Sequence, residues 1–253
     1  MYRVTFTNSR GRTLVGNMYE NRSKSIIVLC HGLTSDKNSQ GRFPQLASAL
    51  QTVGYNVLTF DFSGCGESDD DILTIDKELD DLQSAISYVQ AQSYIHIGLY
   101  GHSLGAYICL LYADKDIDTM VLTGALTDKM SYRWEDYFTK QQLDELHSTN
   151  HMVFPVKQES RTSVIISEQI LDVFSLVDQE SLLTGIRKPI LLIHGDGDDE
   201  EKSLLANTKR GMKYLPPGSS LEVIKGAPHN FMDYMDRVTE LSIRWFIQKI
   251  PRT

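Results

Sequence analysis

Six short, nearly continuous apolar runs set the main constraint on this chain: Ser25 to Cys30, Asn56 to Phe60, Ile95 to Tyr100, Thr119 to Thr123, Pro189 to Ile193 and Leu221 to Ile224. Runs of this length without polar alternation are strands buried on both faces, which means a mostly parallel sheet covered by helices. Segments of helical period lie between them: Phe43 to Val53, the series Ile75, Leu79, Leu82, Ile86 and Val89, then Leu104 to Tyr112, and Phe231 to Ile250. The alternation predicts an α/β fold joined by right-handed crossovers, with ligands at the carboxyl ends of the strands. Tyr2 to Tyr19 alternates polar and apolar residues around Asn8, Ser9, Arg10 and Gly11, an antiparallel hairpin at a sheet edge that brings the strands to eight.

The rhythm breaks once. About sixty residues separate the strand ending at Thr123 from the one opening at Pro189, far more than a crossover helix needs. Residues 126–187 are therefore expected to form a small helical cap on a core of residues 1–125 and 188–253. The insertion carries Tyr132, Trp134, Tyr137, Phe138, Phe154 and Phe174 beside Glu135, Asp136, Asp144 and Glu145.

Composition excludes several function classes. A formal charge of −8 and no Lys/Arg-rich run remove the electrostatic footprint of nucleic-acid binding. No stretch approaches 18 uninterrupted apolar residues, and MYRVTFTNSRGR has no apolar signal region, so a cytoplasmic protein without a membrane span is expected. Cys30, Cys65 and Cys109 are odd in number, and Cys30 and Cys109 sit in apolar runs, as reduced thiols would. There is no Walker-type phosphate loop, and DFSGCGESDD lacks the third glycine of a dinucleotide fingerprint, so no cofactor is expected. His147 and His151 stand at helical spacing, but without the glutamate of a zinc-protease motif, and no metal is expected. A calcium loop opening at Asp196 fails because Glu201 and Asn207 stand where glycine and glutamate would be needed.

The chemistry-bearing motif is LYGHSLG, which ends at Gly105 between an apolar run and a helical one. A serine on a strand–turn–helix corner projects its hydroxyl above the strand ends, and Gly101 and Gly105 remove side chains that would collide there. The helix N-terminus offers free N–H groups to an anion formed beside Ser103. A serine hydroxyl is a weak nucleophile at neutral pH, so it needs a base and a group that orients the base. HGDGDDEE follows the strand ending at Ile193, and KGAPHNF follows the strand ending at Ile224. Asp198 is read as the acid and His229 as the base, 229 − 198 = 31 residues apart, room for one helix and one strand. Asp196 is the alternative acid, better suited to bonding the turn backbone or capping the next helix. His102 is expected to pack beside the elbow, and His31 to shape its own loop.

In these motifs, with CHGLTSD (Cys30–Asp36) and DFSGCGES (Asp61–Ser68), the chain resembles the α/β-hydrolase superfamily. The resemblance is to small capped members such as feruloyl and cinnamoyl esterases, monoacylglycerol lipases and serine aminopeptidases. It implies an eight-stranded sheet with the cap after the sixth strand, and a Ser-His-Asp triad of Ser103, His229 and Asp198. It implies an oxyanion hole formed by the backbone N–H groups of Leu33 and Leu104, each worth on the order of 2.7–4 kcal/mol of transition-state stabilisation. It makes DFSGCGES a structural turn. One departure stands out: the family often follows the acid with an apolar pair, whereas Asp199, Glu200 and Glu201 follow Asp198.

The expected activity is hydrolysis of a small-molecule carboxylic ester, short to medium-chain or cinnamoyl-type, with Trp134, Tyr137 and Phe138 of the cap against the acyl group. Two alternatives stand beside it: an aminopeptidase or amidase in which Glu135, Asp136, Asp144 or Glu145 holds an ammonium group, and a non-catalytic binding protein on the same scaffold. The oligomeric state is left open.

Overall fold

The computed structural model describes residues 1–112 and 116–252; residues 113–115 and 253, which belong to the expected core, lie outside the described residues. The chain runs through β1 (Tyr2–Thr7), β2 (Thr13–Tyr19), β3 (Ser25–Cys30), α1 (Arg42–Thr52), β4 (Asn56–Phe60), β5 (Ile72–Leu73), α2 (Ile75–Ala91), β6 (His96–His102), α3 (Leu104–Tyr112) and β7 (Thr119–Thr123). It continues through α4 (Lys140–Thr149), β8 (His151–Pro155), β9 (Ser163–Ser167), α5 (Glu168–Leu176) and α6 (Gln179–Thr184). It ends with β10 (Ile190–Gly195), α7 (Asp199–Gly211), β11 (Ser220–Ile224) and α8 (Met235–Lys249).

The main sheet has eight strands in the order β1-β2-β4-β3-β6-β7-β10-β11. The β1–β2 and β2–β4 pairs are antiparallel and every later pair is parallel, so the N-terminal hairpin forms one edge as the alternation predicts. β3, β4, β7 and β10 are buried along their whole length, which accounts for their unbroken apolar sequence. One face packs on α1 and α8 through Phe43, Leu46, Val238, Leu241 and Trp245; the other packs on α2 and α3 through Leu82, Ile86 and Ile108. Because these strands run parallel, the loops after β3, β4, β6, β7, β10 and β11 all open on one edge of the sheet.

Between β7 and β10 the structure departs from an all-helical cap. β8 and β9 form an antiparallel hairpin, and β9 pairs in parallel with β5 of the core, Ile72 opposite Ile165 and Leu73 opposite Ile166. The final helix also starts later than its periodicity suggests, because Phe231 takes a left-handed backbone (φ 53°) and a 3₁₀ turn at Met232–Tyr234 precedes α8. All three cysteines are buried free thiols. Among the described residues no helix is long and apolar enough to cross a membrane.

Candidate active site

Ser103 occupies the turn between β6 and α3 at φ 56°, a left-handed conformation rarely taken by a residue with a side chain. Its N–H donates to Thr123 O of the neighbouring strand (2.9 Å), and its carbonyl accepts from Ala106 and Tyr107 of α3 (3.0 and 3.2 Å). The turn is bound on both sides, which is how such strain persists. Gly105 makes it possible: a Cβ there would fall 2.3 Å from Cys30 O and 2.4 Å from His31 O.

The loop after β11 delivers His229 to this serine, with Nε2 2.9 Å from Ser103 Oγ. The carboxylate at the other ring nitrogen is not Asp198. Glu201, in the first turn of α7, sets Oε1 2.6 Å from His229 Nδ1. Asp198 is the N-cap of α7: Oδ1 accepts from Glu201 N (2.7 Å) and Oδ2 from the His229 backbone N–H (2.7 Å). Both of its oxygens are occupied by main chain, so it fixes the relative position of helix and histidine loop rather than the imidazole. Asp196 accepts from Gly226 N (2.5 Å), the turn-bonding role expected for it.

The signal for Glu201 was in the sequence as a capping pattern. An aspartate at the N-cap spends its carboxylate on the N3 backbone N–H, and three residues after Asp198 stands a glutamate whose side chain, turned away from the cap to His229, His194 and Gly195 N, reaches the site. Glu201 is fully buried, and its second oxygen accepts from Gly195 N (2.8 Å) and lies 3.1 Å from His194 Nδ1. His194 Nε2 lies 2.9 Å from Thr208 Oγ1, which lies 2.9 Å from Thr127 Oγ1, so the glutamate ends a buried polar chain. Burial alone would raise the Glu201 pKa, but its bonds to His194 and His229 outweigh it and push the carboxyl down to about 2. Burial likewise lowers the His229 pKa, and the Glu201 hydrogen bond with the charges of Glu200, Glu201 and Asp198 more than reverses this, raising it above its ordinary value.

The remaining histidines shape the surroundings. His102 bonds Thr123 Oγ1 and Arg42 Nη1, each at 3.1 Å, and its ring packs 5.2 Å from that of His229. Burial, then Arg42 and His229, hold it well below the ordinary histidine pKa. His31 accepts from Phe62 N at Nε2 (3.2 Å) and lies 2.9 Å from Gly32 O at Nδ1, which ties the loop after β3 to the loop after β4. In that second loop Asp61 accepts from Lys37 N (2.6 Å), Lys37 Nζ (2.7 Å) and Glu67 N (2.9 Å), and Ser68 Oγ donates to Asp61 O (2.7 Å).

Among the described residues the N–H groups of Leu33 and Leu104 have no protein acceptor. The loop of Leu33 abuts Ser103, for a Cβ on Gly32 would lie 3.2 Å from Ser103 Cβ. Leu33, Ser103 and His229 line a cavity of about 270 Å³ walled by Tyr132, Trp134, Tyr137, Phe138, Phe154 and Phe174. Tyr132 and Trp134 stack at 4.9 Å, and Phe138 and Phe154 meet edge to face at 5.5 Å. Glu200 also lines the cavity, bonded to Tyr132 Oη (2.7 Å) and 4.0 Å from His229 Nε2. Glu135, Asp136, Asp144 and Glu145 are not among the lining residues, and Asp136 and Asp144 pair on the surface with Arg133 and Lys140.

A family model described as serine aminopeptidase, S33, matches residues 21–170. Two curated relatives, each an uncharacterized 31.7 kDa protein in the traX-finO intergenic region of Escherichia coli, are 36% identical over 85 residues, 32% of this chain and 29% of theirs. The match thus spans under a third of the length of those relatives. Among solved structures, the α/β hydrolase GrgF from Penicillium sp. sh18 is 16% identical over 98% of both chains, with a TM-score of 0.76. Est1E from Butyrivibrio proteoclasticus, bound to ferulic acid, is 18% identical over 98% of this chain and 99% of its own, with a TM-score of 0.75. The esterase Pf2001 from Pyrococcus furiosus is 23% identical over 99% of this chain and 91% of its own, also at 0.75.

Proposed function

From the premise that this chain belongs to the serine aminopeptidase S33 family and has the α/β-hydrolase fold, we propose that it is a serine esterase with a Ser103-His229-Glu201 triad. The observation that carries the reading is the continuous path from Ser103 Oγ through His229 to buried Glu201, at 2.9 and 2.6 Å. Neutral His229 takes the Ser103 proton at Nε2 as Oγ attacks the ester carbonyl, and returns it to the leaving alcohol as the tetrahedral intermediate collapses to an acyl-enzyme. Water, deprotonated by the same nitrogen, then releases the acid and restores the serine. Glu201 keeps the Nδ1 proton in place and offsets the charge of the imidazolium. The oxyanion hole is assigned to the Leu33 and Leu104 N–H groups, which are free to donate to charge that forms only in the intermediate.

Residues 126–187 serve as the cap that walls the acyl pocket, where Trp134, Tyr137 and Phe138 favour an aryl or short to medium-chain acyl group of a small-molecule ester. Three buried free thiols suit a reducing compartment and support the cytoplasmic setting. A second reading, hydrolysis of an aminoacyl amide, is favoured by one observation: Glu200 puts a carboxylate among the aromatic rings, where it would hold an ammonium group.

The test is turnover of p-nitrophenyl esters from acetate to palmitate, methyl ferulate and an aminoacyl anilide by wild type and Ser103→Ala. Ester turnover lost on substitution is the expected result, and its chain-length optimum measures the pocket. Turnover of the anilide alone would replace the esterase reading with the amide one. Failure of a fluorophosphonate to label Ser103 would favour a binding protein.

A further inference from the structure

We infer that Gln158, in the turn between β8 and β9, is a positioning residue that holds the oxyanion loop in place from the cap; the inference rests on the Leu33 N–H being an oxyanion donor, as proposed above. Gln158 uses its whole amide. Nε2 donates to Thr34 O (3.0 Å) and Ser35 O (2.8 Å), while Oε1 accepts from Gly66 N (3.0 Å). One side chain of the inserted segment thereby bridges the loops that follow β3 and β4.

The loop it holds needs holding. Thr34, next to Leu33, has φ 59°, and a β-branched residue in the left-handed region is a conformational outlier that relaxes unless its surroundings over-determine it. Other ties fix the flanks of this loop. His31 is bonded to Phe62 N, Ser35 N donates to Gly32 O (3.1 Å), and Lys37 is bound through both its N–H and its ammonium to Asp61. Among the described residues nothing except Gln158 donates to the Thr34 and Ser35 carbonyls. Those carbonyls lie in the Thr34–Ser35 and Ser35–Asp36 peptide planes, two and three beyond the plane that carries the Leu33 N–H, so fixing them holds the left-handed turn at Thr34 and with it the path of the loop from which that N–H projects.

The clamp is itself anchored. Arg161, in the same turn, donates to Gly66 O (3.1 Å) and Ser68 O (2.7 Å) and pairs with Asp70. Gln158 N donates to Arg161 O (3.3 Å), closing the turn. Gly66 cannot retreat from it: at φ +50° it lies so close to Asp61 that a Cβ would fall 2.2 Å from the carboxyl carbon. The amide is thus held at a fixed height over the oxyanion loop, and no carboxylate can replace it, because both donors must face carbonyl oxygens.

The experiment compares wild type, Gln158→Ala and Gln158→Glu in steady-state hydrolysis of the best ester of the panel, in the rate of fluorophosphonate labelling of Ser103, and in thermal midpoint. Removing one oxyanion donor outright costs about 10²–10³ in kcat, so misdirecting it is expected to cost about 10- to 100-fold. We expect Gln158→Glu to lose at least as much kcat as Gln158→Ala, with KM within about twofold of wild type. The labelling rate should fall in parallel, and the pH midpoint of kcat/KM should stay unchanged because His229 is untouched. Wild-type kcat in Gln158→Glu, or a loss confined to KM, or one that tracks a fall in thermal midpoint, would overturn the inference. Should no ester turn over while the fluorophosphonate still labels wild type, the esterase reading falls and the labelling rates alone decide the role of Gln158. Wild type that does not label would bring down both.

Discussion

Glu201 Oε1 lies 2.6 Å from His229 Nδ1, whereas Asp198, three residues earlier, touches His229 only through the backbone. Glu201→Gln, which keeps the shape but removes the charge and favours the wrong imidazole tautomer, should reduce kcat about 10³- to 10⁴-fold. Asp198→Asn retains a capping acceptor and should cost less than about tenfold by comparison. Steady-state kinetics of the two variants on one substrate decide the matter, and the opposite ranking would return the acid to Asp198.

The pH profile follows from the charges around His229. In the proposed mechanism His229 must be neutral to accept the Ser103 proton, and carboxylates favour the protonated ring. Since Glu201, Glu200 and Asp198 outweigh burial and raise the His229 pKa, kcat/KM should rise with pH through a single midpoint above the ordinary histidine value of about 6.5. Glu200→Gln removes one of those charges, 4.0 Å from Nε2, and should move the midpoint to lower pH. A midpoint unchanged in that variant would show that Glu200 exerts no field on the ring.

Glu78 should weaken the fold at neutral pH. It is 2% exposed in the apolar layer under α2, its Oε2 has no partner, and burial, reinforced by Asp81, drives its carboxyl well above the usual range. A carboxyl whose pKa rises on folding destabilises increasingly as pH climbs past its unfolded value. Glu78→Met removes an orphaned polar atom and should raise stability by about 1–3 kcal/mol, roughly 2–10 °C in thermal midpoint at this chain length. The gain should be larger at pH 8 than at pH 5, as thermal scans at both would reveal.

Lys37 and Asp61 form the opposite case, a buried pair that the fold depends on. Their side chains are 6% and 0% exposed, and Asp61 also satisfies two backbone N–H groups. Asp61→Ala strands a buried ammonium with only Glu67, and should cost about 3–5 kcal/mol. Denaturant titration measures that directly; a cost under about 1 kcal/mol would mean that Glu67 carries the ammonium alone.

The parallel sheet was legible because strands buried on both faces leave no polar alternation to misread. Ser103 was legible for a related reason, since it follows such a strand directly; His229 lies five residues beyond β11, an edge strand that is only partly buried, contrary to its nearly continuous apolar run, yet the run still marked the strand end. Glu201 was harder, because Asp198 to Glu201 are four consecutive acids and only the direction of the first turn of α7 decides which faces His229. The cap hairpin escaped because β8 is partly exposed and β9, though mostly buried, is only five residues long, both set among charges and turns, and β5 because a two-residue strand has no period. Gln158 gave no signal at all; a lone glutamine in a polar turn becomes meaningful only when three backbone groups converge on it.

The pairing of Ile72–Leu73 with β9 limits how freely this protein can be re-engineered. Leu73 O also accepts the Ser167 hydroxyl (2.7 Å), so the inserted segment is sewn to the body through main chain, ninety residues back along the polypeptide. Transplanting a foreign cap between β7 and β10 would leave that short edge bare, a template for intermolecular pairing. A chimera that exchanges the β5 stretch together with the cap would carry its own seam with it.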